Sequence, residues 1–149
     1  LANTQAMATS FKQDILNGIH AFGTTVTRAT TSADTFKAAL YYTTATLNAS
    51  TTAYSTTGEV TGTGYTAGGN TLTVSVVPTS SGTTAYLSFS DSSWTSATIT
   101  ARGALIYNST QGNKAVAVLD FGSDKSSSSG TFSVIFPTAN SSSAIIRIA

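Results

Sequence analysis

From Thr24 to its end the chain repeats one pattern, in which apolar and polar residues alternate with a period close to two. Successive side chains of a strand point to opposite faces, so this alternation suits a sheet and fits no helix. "DTFKAALYY" sets Phe36, Ala38, Leu40 and Tyr42 on one face, and "TLTVSVV" sets Leu72, Val74 and Val76 together. Pro78 with "TSSG" ends that second run. "TAYLSF" aligns Ala85, Leu87 and Phe89. "WTSATITARGALIYN" alternates until Arg102-Gly103, where a glycine inside a strand pattern marks a bulge. "STQGN" reads as a turn, and "KAVAVLDF" is apolar on both faces, as a covered central strand would be. "GSDKSSSSG" reads as a flexible loop, with "TFSVIF" and "AIIRI" as two final strands separated by "PTANSSS". Eight or so short strands with turn signals between them predict an all-β fold, an antiparallel β-sandwich of jelly-roll or Greek-key type.

The composition agrees. The 29 threonines and 22 serines fill 51 of 149 positions, and charged residues make up 9%, against roughly 25% in ordinary soluble domains. Threonine is at home on strands, whereas helical surfaces favour Glu, Lys, Gln and Arg. The length suits a single domain over residues 1–149. Seven basic and six acidic residues are scattered, giving a net charge of +1 and no basic patch for nucleic acid. A near-neutral, hydroxyl-coated surface suits contact with other protein, copies of itself included. With no cysteine, disulfides, thiolate catalysis and cysteine metal sites are excluded. No apolar run approaches the roughly 18 residues of a membrane helix. "LANTQAMATS" lacks the basic start and apolar core of a secretory signal. The expectation is a chain made and folded in the cytoplasm, with no membrane partner.

One segment departs from the period of two. In "SFKQDILNGIHAFG" the apolar residues Phe11, Ile15, Leu16, Ile19 and Phe22 recur at intervals of 4, 1, 3 and 3. Ser10 with Gln13 fits a capping box, Asp14 suits the first turns and Gly23 a stop. Gly18 weakens the helix by up to about 1 kcal/mol relative to alanine. Residues 1–23 are therefore predicted as a short N-terminal helix or an extended arm. The stripe of Phe11, Ile15, Ile19 and Phe22 is a candidate protein-interaction surface. It either docks on a partner or caps an open end of the sandwich.

"TGTGYTAGGNTLTV" raises the question of phosphate binding. A P-loop needs a lysine after its second glycine, because that lysine reaches the phosphates; Asn70 stands there, after Gly69. The dinucleotide fingerprint would need a glycine at Ala67 and a helix afterwards, and a strand pattern follows instead. The glycines are expected to shape a tight turn.

His20 is the only histidine, and a catalytic triad through it would need an acid brought close by the fold. No G-x-S-x-G elbow is present. Glu59 is the only glutamate, beside Asp14, Asp34, Asp91, Asp120 and Asp124. Asp91 and Asp124 sit in serine-rich stretches suited to local turn bonds. Asp120 alternates with Val116 and Val118 and is expected to pair internally with Arg102 or Arg147. No catalytic residue, metal site or cofactor is assigned. Tyr41, Tyr42, Tyr54, Tyr65 and Tyr86 lie apart in sequence and suit sheet faces and interfaces better than a sugar platform. Tyr65 joins the interaction candidates, and Trp94 is expected in the core.

The stretches "SFKQDILNGIHAFG", "DTFKAALYY", "STTAYSTTGEVTGTGYTAGG" and "SATITARGALIYN" together resemble a family of small virion structural proteins of tailed bacteriophages. The likeness runs from near the first residue to the terminal "IIRI", and "GEVTGTGYTAGG" with "ARGALIYN" is its most specific part. The resemblance implies a particle component assembled in the host cytoplasm and located in the virion. Its implied role is a head decoration, or cement, protein that clamps the major capsid protein lattice. Other virion proteins are implied partners, and a tail, neck or fibre component is the alternative. A module gripping host polysaccharide is a further one.

Overall fold

The computed structural model describes residues 3–16, 18–25 and 32–149. Eight strands dominate: β1 (Ala6–Met7), β2 (Phe36–Tyr41), β3 (Asn70–Thr71), β4 (Val74–Ser81), β5 (Thr84–Phe89), β6 (Ser92–Asn108), β7 (Lys114–Val134) and β8 (Ile146–Ile148). One helix, α1 (Thr9–Leu16), lies between β1 and β2. Every strand pairing is antiparallel, in one sheet of order β1-β7-β6-β2-β3 and a second of order β4-β5-β8. The neighbours β1 and β7, β2 and β6, and β5 and β8 are distant in sequence, which gives the crossed connections a Greek-key sandwich uses. The fold is the expected all-β sandwich.

The alternation explains the strands that cover one face, and its failures explain the centre. In β2 the two predicted faces are both buried, because Ala39 and Tyr41 are covered as fully as Phe36, Ala38 and Leu40. β6 is buried without interruption from Gly103 to Asn108, and β7 from Ala115 to Leu119, where they run side by side in the middle of the sheet. The predicted bulge at Gly103 is present as a register shift between Ala101 and Gly103. A Cβ there would crowd the Leu119 carbonyl oxygen and the Asn3 amide. Trp94 is in the core.

Three expectations are corrected. "GSDKSSSSG" is no flexible loop; it continues β7, so "KAVAVLDF" and most of "TFSVIF" belong to one 21-residue strand. Short polar residues favour turns in isolation, but here β6 supplies partners for Lys125, Ser126, Ser127 and Gly130, with register shifts on either side. Thr100 and Ser126 hydroxyls meet at 2.7 Å, Ser93 and Ser133 at 2.8 Å, and the Ser127 hydroxyl donates to the Ala97 carbonyl at 2.8 Å. Pro78 does not end its strand, since β4 runs on to Ser81. β4 is an edge strand, and its register shifts between Val76 and Thr79, so a residue without an N–H is accommodated there.

The third correction concerns α1, which begins at Thr9 and stops at Leu16. Gly18, not Gly23, closes it: its φ is 68°, and its N–H donates to the Ile15 carbonyl at 3.0 Å. A left-handed glycine just past the last turn is a common helix stop. The Ser10 hydroxyl is buried without a hydrogen-bond partner, so Ser10 does not act as the N-cap. The side chains of Gln13, Asp14 and Leu16 lie outside the described ones. Ile19 and Phe22 are consequently not on the helix.

Candidate functional site

Among the residues singled out in the sequence, the structure gathers the tyrosines most closely. The segment from Ser55 to Gly69 folds over β2 and the middle of β6, tied by backbone bridges from Glu59 to Tyr41 and from Thr63 to Thr98. At its centre Glu59 is buried. Its carboxylate accepts from the Tyr54 hydroxyl, the Tyr65 hydroxyl and the Gly68 N–H, each at 2.7 Å. The Tyr65 hydroxyl also accepts from Leu40 N–H at 2.9 Å, and Tyr107 donates to the Gly68 carbonyl at 2.7 Å. The Tyr54 and Tyr107 rings stack with centroids 4.7 Å apart. Burial pushes the Tyr41, Tyr54 and Tyr65 hydroxyls well above their ordinary pKa and raises that of Tyr107, and the Glu59 charge pushes further in the same direction. A buried carboxylate that accepts from three donors of its own chain is a structural anchor. Tyr65 is accordingly half-buried, with its ring 5.9 Å from Trp94.

The N-terminal candidates divide between core and surface. Phe11 and Phe22 are buried, and Ile15 and Ile19 are partly so. Phe22 stacks on Phe36 of β2 at 4.2 Å, and both rings approach Phe89 of β5, so this segment is clamped between the two sheets. Phe11 and Phe22 therefore pack within the chain's own core. Ile15 lines a shallow apolar groove of about 200 Å³ with Phe11, Phe22, Ala85 and Ile148.

His20 lies in the same core, edge-on to Phe11 at 4.8 Å. The fold does bring an acid near, Asp34, but the Asn108 side chain stands between them. Asn108 Nδ2 is 3.0 Å from His20 Nδ1 and 2.8 Å from Asp34 Oδ2. Asn108 Oδ1 accepts from the Thr110 and Gln111 N–H groups. This network fixes the turn joining β6 to β7. Among the described residues no group of three or more His, Asp or Glu side chains is placed to hold a metal ion.

Asp120 pairs with Arg102 Nε at 2.8 Å, one of the two expected partners, though both side chains are part-exposed and the pair is not internal. The guanidinium holds the Asp120 carboxyl below its usual range. Asp91 makes a long-range bond instead of a local turn, accepting from Phe136 N–H at 2.9 Å and so fixing the end of β7.

A broad concavity lies beside that strand. A groove of about 540 Å³ is lined by Gln5, by β7 residues around Phe121 and Lys125, by Thr131–Pro137, and by Ile145. Ile135 projects from it, 68% exposed. The sequence carried a signal for this: Phe132, Val134 and Phe136 are buried at a period of two, and Ile135 is an apolar residue out of phase with them. Glu59 as a hub had no such signal, because Tyr54, Tyr65 and Gly68 meet it from one irregular segment in which no periodicity links them.

No protein-family model matches the chain, and neither a curated protein nor a solved structure matches it.

Proposed function

We propose that the protein is a structural component of a tailed-bacteriophage particle, specifically a head decoration protein that binds the outside of the major capsid protein lattice and stabilises the head. The likeness of "GEVTGTGYTAGG" and "ARGALIYN" to phage virion proteins supports the class. The observation that supports a passive binding role is the groove beside β7, open along its length and rimmed by the exposed Ile135. Its walls mix apolar side chains with polar ones such as Gln5, Lys125 and Ser133, as protein interfaces do, and the principal buried carboxylate is engaged in holding a loop. The protein acts as copies arrayed on the lattice, without cofactor or chemistry of its own, and is assembled into the virion in the host cytoplasm.

The test uses heads produced without the protein. Adding the purified chain is expected to give saturable binding at hundreds of copies per particle and to restore resistance to heat and osmotic shock. Heads equally resistant with and without it refute the cement role. A virion band of only a few dozen copies, mapped to the tail or neck by averaged electron microscopy, assigns it there.

A further inference from the structure

β6 pairs with one edge of β7 along almost its whole length, from Lys114 to Val134. The opposite edge is covered far less. β1 pairs with it only at Ala117 and Val118, and the chain before β1 turns away, with Thr4 N–H donating to the Leu47 carbonyl at 2.9 Å. Gln5 Oε1 takes the Asp120 N–H at 3.2 Å. Beyond that point no strand among the described residues pairs with this edge.

The 540 Å³ groove follows that uncovered edge. Side chains of a strand alternate between faces, so a groove lying over a sheet face is lined by every second residue. This groove is lined by each residue from Thr131 to Pro137 without a gap. An unbroken run places it along the backbone, where unpaired N–H and C=O groups form a template for another strand. The same edge already takes one strand, β1, further along. Its usable length is bounded. Ser129 has a φ of 47° and interrupts the regular edge on one side, and Pro137, which has no N–H, ends it on the other.

The lining also sets the chemistry of the occupant. Phe121 and Phe132, with ring centroids 6.2 Å apart, form an apolar wall with Ile135 and Ile145. Two charges face the groove. Asp120 is neutralised by Arg102, whereas Lys125 forms no ion pair among the described residues. We infer that the edge from Thr131 to Ile135, the last stretch of β7 and the residue after it, is completed by an extended strand of the capsid lattice protein, apolar at alternate positions and carrying a carboxylate for Lys125. This rests on the head-decoration reading above, and it names the contact that reading lacks.

The test combines binding to heads lacking the protein with hydrogen exchange on the unmutated chain. Bound protein is expected to show slowed amide exchange at 131–135. Ile135→Asp, which alters an exposed side chain outside the core, is expected to weaken binding at least tenfold with an unchanged thermal midpoint. Lys125→Gln is expected to weaken it a few-fold and to flatten its salt dependence. If the wild-type chain binds heads but exchange at 131–135 is unchanged, or Ile135→Asp binds as wild type, the edge inference falls and the head reading stands. If the wild-type chain does not bind heads, both fall. Protection of 131–135 in the protein alone, rising with its concentration, assigns the edge to a second copy and also overturns the inference.

Discussion

Replacing Glu59 by alanine tests whether the carboxylate holds the 55–69 segment in place. Three donors at 2.7 Å lose their acceptor together. Tyr54 is part-exposed, so its hydroxyl turns to water at little cost. Tyr65 keeps the Leu40 N–H donating to it but loses the group it donates to. The Gly68 N–H is buried and has no substitute. An orphaned buried donor costs about 1–3 kcal/mol, while alanine also removes the desolvation penalty carried by the carboxylate. The expected net loss is about 2–4 kcal/mol, and in a domain of this size each kcal/mol moves the thermal midpoint by about 2–4 °C. The single tryptophan, Trp94, is buried beside Tyr65 and reports the transition by fluorescence in urea. Glu59→Ala and Tyr65→Phe should also be non-additive, since they share one bond. A loss below about 0.5 kcal/mol, or strict additivity with Tyr65→Phe, would refute the anchor.

Two further outcomes follow from the same region. Near pH 10 the tyrosines of the unfolded chain ionise while the buried hydroxyls of Tyr41, Tyr65 and Tyr107 resist; Tyr42, lowered by its hydrogen bonds to Thr61, works the other way but is outnumbered. Stability is therefore full below about pH 10 and declines as pH rises beyond it, so the urea midpoint should fall between pH 8 and pH 11; an unchanged midpoint contradicts the burial of these hydroxyls. Gly69 has a φ of 73°, and a Cβ there would overlap the Ala38 carbonyl oxygen, whereas Gly112, at 64°, has open space around it. Gly69→Ala should therefore cost at least about 2 kcal/mol more in urea denaturation than Gly112→Ala, which carries only the left-handed penalty of about 1 kcal/mol; equal losses would show that the close approach to β2 is absent.

The strands were readable from the sequence wherever one face is wet, because burial and exposure then imprint a period of two, as in Phe132 and Val134 of β7 on either side of exposed Ser133. The reading failed where chemistry and partner disagree. "SDKSSSSG" has the composition of a loop, and only the presence of β6 across a hydroxyl ladder makes it strand. Likewise the helical period that joined Phe11 to Phe22 was real as spacing but not as helix. Gly18 turns the chain, and both rings still reach the core because β2 and β5 offer Phe36 and Phe89 on either side. Tertiary packing decided the matter in each case. The interaction candidates show the same limit, since periodicity marks a residue as apolar without saying whether its own fold or a partner covers it.

The glycine-rich stretch makes the point most sharply. Sequence logic rejected phosphate binding there because a lysine and a following helix are missing, and a short strand, β3, does follow. Yet the loop does hold an anion. Gly68 turns its N–H onto a carboxylate, as phosphate loops do onto phosphate, and the carboxylate is Glu59 of the same chain. That acceptor is supplied internally, so the Gly68 N–H is already engaged. The loop's fixed geometry instead braces Tyr65 against Trp94 and seals the middle of β6. Glu59, Tyr65, Gly68 and Gly69 fall within eleven consecutive residues because they make one knot. A local knot whose members must all be present constrains sequence more tightly than a core in which apolar residues interchange. "GEVTGTGYTAGG" is therefore distinctive for a mechanical reason: its residues hold one another in place around the buried Glu59 carboxylate.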